Sequence, residues 1–128
     1  MATWPVVTGD IVTSTIWNGL PAFEVASDKT TDYTAASGDQ YQQLIPMNKA
    51  TAIAFKIPTN ATYAFPIGTV ITVLNKGAGT LTISAVTSGT TTILSSGATP
   101  AAPTVTQYKS AACIKTATDT WYVVGGIA

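Results

Sequence analysis

Apolar side chains recur at every second position in several short runs, and this pattern constrains the fold more than any other feature. Ile53, Phe55 and Ile57 alternate with Ala52, Ala54 and Lys56, Leu81 and Ile83 with Thr80, Thr82 and Ser84, and Trp121 and Val123 with Tyr122 and Val124. A period of two puts one set of side chains on each face of a strand, so each run reads as a half-buried β-strand. Further candidates are 30–34, 41–46, 69–75, 91–94 and 108–116. Together they predict about eight strands, separated by turn signals at roughly ten-residue spacing. Threonine is the commonest residue, which suits a pleated, half-exposed surface. Neither a strand–helix–strand alternation nor an internal repeat of fixed period is visible. The expected fold is all-β: an antiparallel β-sandwich or jelly roll of about eight strands, preceded by an N-terminal arm with a short helix.

The stretch FPIGTVITVLNKGAGTLTISA, residues 65–85, tests whether a lysine among glycines marks a phosphate site. A phosphate loop needs its lysine after the glycines and a helix behind it. Here Lys76 precedes Gly77 and Gly79, and an alternating strand follows. The expectation is a hairpin in which the two glycines supply positive φ in a tight connection. The stretch 95–107, SSGATPAAPTVTQ, is the most loop-like part of the chain, and reads as an exposed connection or a contact loop.

The chemical inventory removes most enzyme classes. Charged residues make up 9% of the 128 residues, against roughly 25% in an ordinary soluble domain. Arginine and histidine are absent, and six lysines balance six acids. Nucleic acid is therefore not an expected partner, since it is held by clustered cations. Without histidine a Ser-His-Asp triad cannot form, and the side chain most used for proton transfer near neutral pH is missing. The acids Asp10, Glu24, Asp28, Asp32, Asp39 and Asp119 lie in turn-like settings or near the amino terminus and read as turn and cap residues. A carboxylate pair for glycoside hydrolysis is the weaker alternative. One cysteine, Cys113, permits neither a zinc cluster nor an internal disulfide, and its apolar setting predicts a buried core residue. No cofactor, metal or catalytic residue is expected. Asn60-Ala61-Thr62 fits a glycosylation pattern, but the amino terminus lacks the charged and apolar regions of a secretory signal. No apolar run reaches the ~20 residues of a membrane helix, so no membrane partner is expected.

The first part of the chain has a different character. Thr13 or Ser14 is placed to cap a short helix carrying Ile16, Trp17 and Leu20 on one face, with Asn18-Gly19 and Pro21 ending it. A helix of one or two turns does not stand alone. Its apolar residues must be covered, either as a lid on the same molecule or by docking on a partner. Tryptophan gives large, rigid contact area at interfaces, so Trp4, Ile11, Ile16, Trp17, Leu20 and Phe23 are the candidate docking residues. The expected division is an arm over 1–26 and a sandwich over 27–128.

Several motifs together resemble a β-sandwich module of bacteriophage virion proteins, found in tail fibres and in small capsid-associated proteins. The likeness lies in a Pro-x-Gly-Thr lead-in to a β-branched strand (Pro66, Gly68, Thr69), a Gly-x-Gly hairpin (Gly77, Gly79) and a last hairpin ending Trp-x-Val-x-Gly (Trp121, Val123, Gly125). It spans roughly 27–128, and the Gly-Asp and Trp-Asn stretches of the arm are similar to the start of phage structural proteins. The resemblance implies a non-enzymatic structural role, usually as a trimer. A tail fibre is expected to continue into a repetitive shaft and tip. One arm with one module looks more like a capsid decoration, or cement, protein. The expected partners are the major capsid protein and sister copies in a homotrimer, and the expected place is the capsid surface of a virion assembled in the host cytoplasm. The alternative is a short tail-fibre, tail-tip or receptor-binding module contacting glycans through Tyr33, Tyr41 or Tyr63.

Overall fold

Residues 24–41 and 43–128 are described by a computed structural model. Ten strands occur among them: β1 (Glu24–Val25), β2 (Tyr33–Thr34), β3 (Gln43–Met47), β4 (Ile53–Ile57), β5 (Val70–Asn75), β6 (Leu81–Ala85), β7 (Thr92–Ser95), β8 (Thr104–Val105), β9 (Ser110–Ala117) and β10 (Thr120–Gly125). No helix is present among the described residues. The helix expected around residues 13–20, and all six candidate docking residues from Trp4 to Phe23, lie outside them.

The strands form two sheets, β1-β3-β5-β9-β10-β7 and β2-β4-β6-β8. Alternation decides what each strand buries. Ile53, Phe55 and Ile57 of β4 and Leu81 and Ile83 of β6 point inward from the smaller sheet. Ile45, Met47, Ile71, Val73, Cys113, Trp121 and Val123 point inward from the larger, and all join one core. Each fully buried large apolar side chain stabilises the fold by about 1.5–3 kcal/mol relative to an exposed one. Trp121 closes one region of this core with its ring edge-on to Phe65, the centroids 5.7 Å apart.

The winding corrects the antiparallel expectation. Each connection from β1 through to β9 carries the chain from one sheet to the other, and only β9 to β10 stays within a sheet. A strand therefore meets its neighbour only after an excursion through the opposite sheet. That excursion does the work of the crossover that parallel pairing requires. Accordingly β1–β3, β3–β5, β2–β4, β4–β6 and β7–β10 are parallel, while β5–β9, β9–β10 and β6–β8 are antiparallel. Alternation reveals a strand and its buried face but not its direction, which is why this was hidden in the sequence.

A structural repeat follows from this winding. Leu44 pairs with Thr72 and Ile53 with Leu81, the same offset of 28 residues in both sheets. The arch β3–β4 is therefore stacked in register on the arch β5–β6, although 44–57 and 72–85 share a single aligned identity, Ala50 with Ala78.

The expected hairpin at 75–79 is corrected in the same way. β5 and β6 lie in different sheets, so NKGAG is the corner of an arch. Nor do Gly77 and Gly79 occupy positive φ; among the described glycines that role falls to Gly38, Gly68 and Gly125. Their requirement is space. A Cβ on Gly77 would collide with the backbone of Lys49, and one on Gly79 with that of Thr51. Gly68, by contrast, is a turn glycine: its φ is +93°, and the N–H of Thr69 donates to the carbonyl of Pro66 at 3.1 Å. This is the geometry of a type II turn.

The loop-like stretch 95–107 also contains a strand. Val105 is fully buried, and β8 pairs with Leu81 and Thr82. Ala128 exchanges hydrogen bonds with Thr104 on the other side. A two-residue strand has too few positions to show a period, so composition alone suggested a loop.

Candidate docking surface

The outward side chains of the larger sheet are uncharged. Register aligns them in rows: Leu94 of β7 lies beside Tyr122 of β10, Tyr122 beside Ile114 of β9, and Ile114 beside Val70 of β5. A second row runs Val124, Ala112, Thr72 and Leu44. Val124 is 47% exposed, Tyr122 44%, Val70 42% and Leu94 38%. Cross-strand alignment makes them a continuous apolar patch rather than scattered residues. At the β7–β10 edge Leu94, Ser96, Tyr122, Val124 and Gly125 line a shallow depression. Tyr122 and Val124 were legible in the sequence as the outward partners of Trp121 and Val123. Their alignment with Val70 and Leu94 was not, because it depends on strand order.

Four carboxylates are occupied by bonds within the fold. Asp32 accepts the backbone N–H of Ala54, Asp39 that of Ala36 and Asp119 that of Asn60. Asp28 forms an exposed ion pair with Lys76 at 2.9 Å. Hydrogen bonds from Lys76 and Asn48 hold its carboxyl below the usual carboxylate range. Cys113 is buried, as expected, and burial pushes its thiol up to about 12.

The tyrosines proposed for glycan contact differ in environment. Tyr33 is half-buried against Phe55, and its hydroxyl donates to Asp39 at 2.8 Å. Burial, then that bond, pushes its pKa up to about 12. Tyr63 is half-buried, packs on Phe65 and accepts a hydrogen bond from Gln40. Tyr41 is exposed.

Two buried polar side chains escaped sequence reading. Asn75, fully buried, donates from Nδ2 to the carbonyls of Gly79 and Val105, both at 2.8 Å, and its Oδ1 accepts from the N–H of Gly77. It ties the arch corner to β8. Lys115, on the inward face of β9, donates to Asn60 Oδ1 at 2.6 Å and to the Phe65 carbonyl at 2.7 Å. The only signal for either was a polar residue at an inward position of an otherwise apolar alternation.

No protein-family model, curated protein or solved structure matches this chain.

Proposed function

We propose that the protein is a non-enzymatic structural component of a phage virion, a decoration or cement protein that binds the head shell as a homotrimer. The observation that carries this reading is the uncharged outer face of the six-stranded sheet, with the apolar patch of Leu94, Tyr122, Val124 and Val70 upon it. Such a face is a surface for protein rather than for water or phosphate. The resemblance of the Pro66-Gly68-Thr69 and Trp121-Val123-Gly125 motifs to virion modules supports the same reading. So does an arm rich in tryptophan immediately ahead of β1.

In this proposal the two sheets form a sandwich that serves as a rigid body. Its larger sheet packs on sister subunits, and Trp4, Ile11, Ile16, Trp17, Leu20 and Phe23 anchor the arm on capsid subunits. Buried apolar area contributes at roughly 25 cal/mol per Å² before the costs of association. Three linked arms add avidity without any new kind of contact.

Light scattering of the purified chain, followed by negative-stain imaging with undecorated capsids, tests the proposal. A trimer that decorates shells is expected, with decoration lost when residues 1–23 are deleted. A monomer that ignores capsids would overturn it. The exposed aromatic ring of Tyr41 favours a receptor-binding module as the second reading. Binding of the isolated protein to host-cell glycans would support that reading.

A further inference from the structure

We propose that Lys115 and Asn60 are the two ends of an intramolecular amide crosslink. Lys115 is only 2% exposed, on a central strand of the larger sheet. Its Nζ has two acceptors among the described residues, Asn60 Oδ1 at 2.6 Å and the Phe65 carbonyl at 2.7 Å. Among the described residues no carboxylate lies within 4.0 Å of it. A buried amine therefore lies in hydrogen-bond contact with a half-buried carboxamide, an arrangement that an ordinary ion-pair role does not require.

Both ends are held in place. The N–H of Lys115 donates to the carbonyl of Thr69 at 2.9 Å, and its carbonyl accepts from Gly68 at 2.7 Å. The N–H of Asn60 donates to Asp119 Oδ1 at 2.7 Å. Trp121 is paired beside Lys115 on β10, and its ring meets that of Phe65 edge-on. Holding two groups in contact replaces an improbable encounter with an intramolecular one.

The step balances without a co-reactant. The lone pair of the neutral Lys115 Nζ adds to Cγ of Asn60, and the bond from Cγ to Nδ2 breaks. One Nζ hydrogen is transferred to the departing nitrogen, which leaves as ammonia. The product is a secondary amide whose remaining N–H still faces the Phe65 carbonyl. It ties the connection before β5 to β9, across 55 positions of sequence.

Intact-mass spectrometry of the full chain under denaturing conditions tests this, alongside Lys115→Arg and Asn60→Ala. The wild-type chain is expected about 17 Da lighter than its sequence requires, after allowance for removal of Met1, as loss of one ammonia dictates. Both variants should show their full mass, and digestion of the wild type should release the Lys115 peptide joined to the Asn60 peptide. A wild-type chain still at full mass after prolonged incubation of the folded protein overturns the proposal. The same deficit in Lys115→Arg also overturns it, by placing the lost ammonia elsewhere, such as a succinimide at Asn18-Gly19. If a variant does not fold, the wild-type mass and the joined peptides decide the matter alone.

Discussion

The backbone N–H of Gly79 donates to the carbonyl of Lys49 at 3.0 Å, so two successive arch corners are hydrogen-bonded directly to each other. The N–H of Lys76 does the same to Met47 at 2.8 Å. The corners approach so closely that only hydrogen fits where Gly79 faces Thr51. Gly79→Ala is therefore expected to destabilise by at least about 3 kcal/mol, beyond the usual cost of overpacking because backbone must move. Urea unfolding checks this, and a variant within 1 kcal/mol of wild type, on the order of an ordinary surface change, would refute the close-approach account.

Asn75 makes a second prediction. Among the described residues its carboxamide is the one side chain that donates to the Gly79 and Val105 carbonyls. Asn75→Ala leaves these and the Gly77 N–H to be satisfied otherwise, at about 1–3 kcal/mol for each group left buried and unpaired. A loss of roughly 2–4 kcal/mol is expected in denaturant melts. The partner position in β3 is Met47, so Asn75→Met separates lost hydrogen bonds from lost volume. It should remain close to the alanine variant if the bonds dominate.

Tyr108 predicts the opposite sign. Its φ is +66° and its side chain is exposed, in a turn where Lys109 donates to the Thr106 carbonyl. A left-handed conformation costs a residue with a Cβ roughly 1–2 kcal/mol. Tyr108→Gly removes that strain at the expense of unfolded-chain entropy. A small rise in thermal midpoint is expected by calorimetry, and a clear fall would mean that the exposed ring makes a contact worth more than the strain.

High pH should destabilise the fold through two groups. Cys113 is pushed up from 9.0 to about 12 by burial, and Tyr33 from 10.0 to about 12 by burial and its bond to Asp39. A raised value means the folded chain holds its proton where the unfolded chain has released it. Their contribution is complete below the unfolded values and is lost as pH climbs from about 9 towards 12. Melting midpoints should fall across that window, with a shallower slope in Cys113→Ala. A thiol reagent should label Cys113 only after denaturation.

These sites show how unevenly the sequence discloses its fold. Alternation at Ile53, Phe55 and Ile57 marked a strand and its buried face, because every second side chain meets the same core. Gly68 was legible as a turn because Pro-x-Gly-Thr restricts the backbone locally. Gly77 and Gly79 were misread because a short glycine-rich link serves a hairpin and an arch equally well. What separates them is Lys49 and Thr51, which lie about 28 residues upstream and are brought near only by parallel stacking. The apolar face had the same obscurity: Tyr122 was visibly outward, but its neighbours Leu94 and Ile114 were set by strand order.

Alternate use of the two sheets also sets a timetable for synthesis. Among the described strands only β9 and β10 pair with a strand next to them in sequence; every other pairing waits for a strand at least one element further on. The centre of the larger sheet is built from those last two strands, inserted between β5 and β7. A growing chain can stack its arches as they emerge, but β5 and β7 remain open edges until the β9–β10 hairpin leaves the ribosome. Non-local closure of this kind is slow and leaves strand edges exposed. The protein is thus committed to completing its larger sheet from within, after the eight strands that precede β9 have all been made.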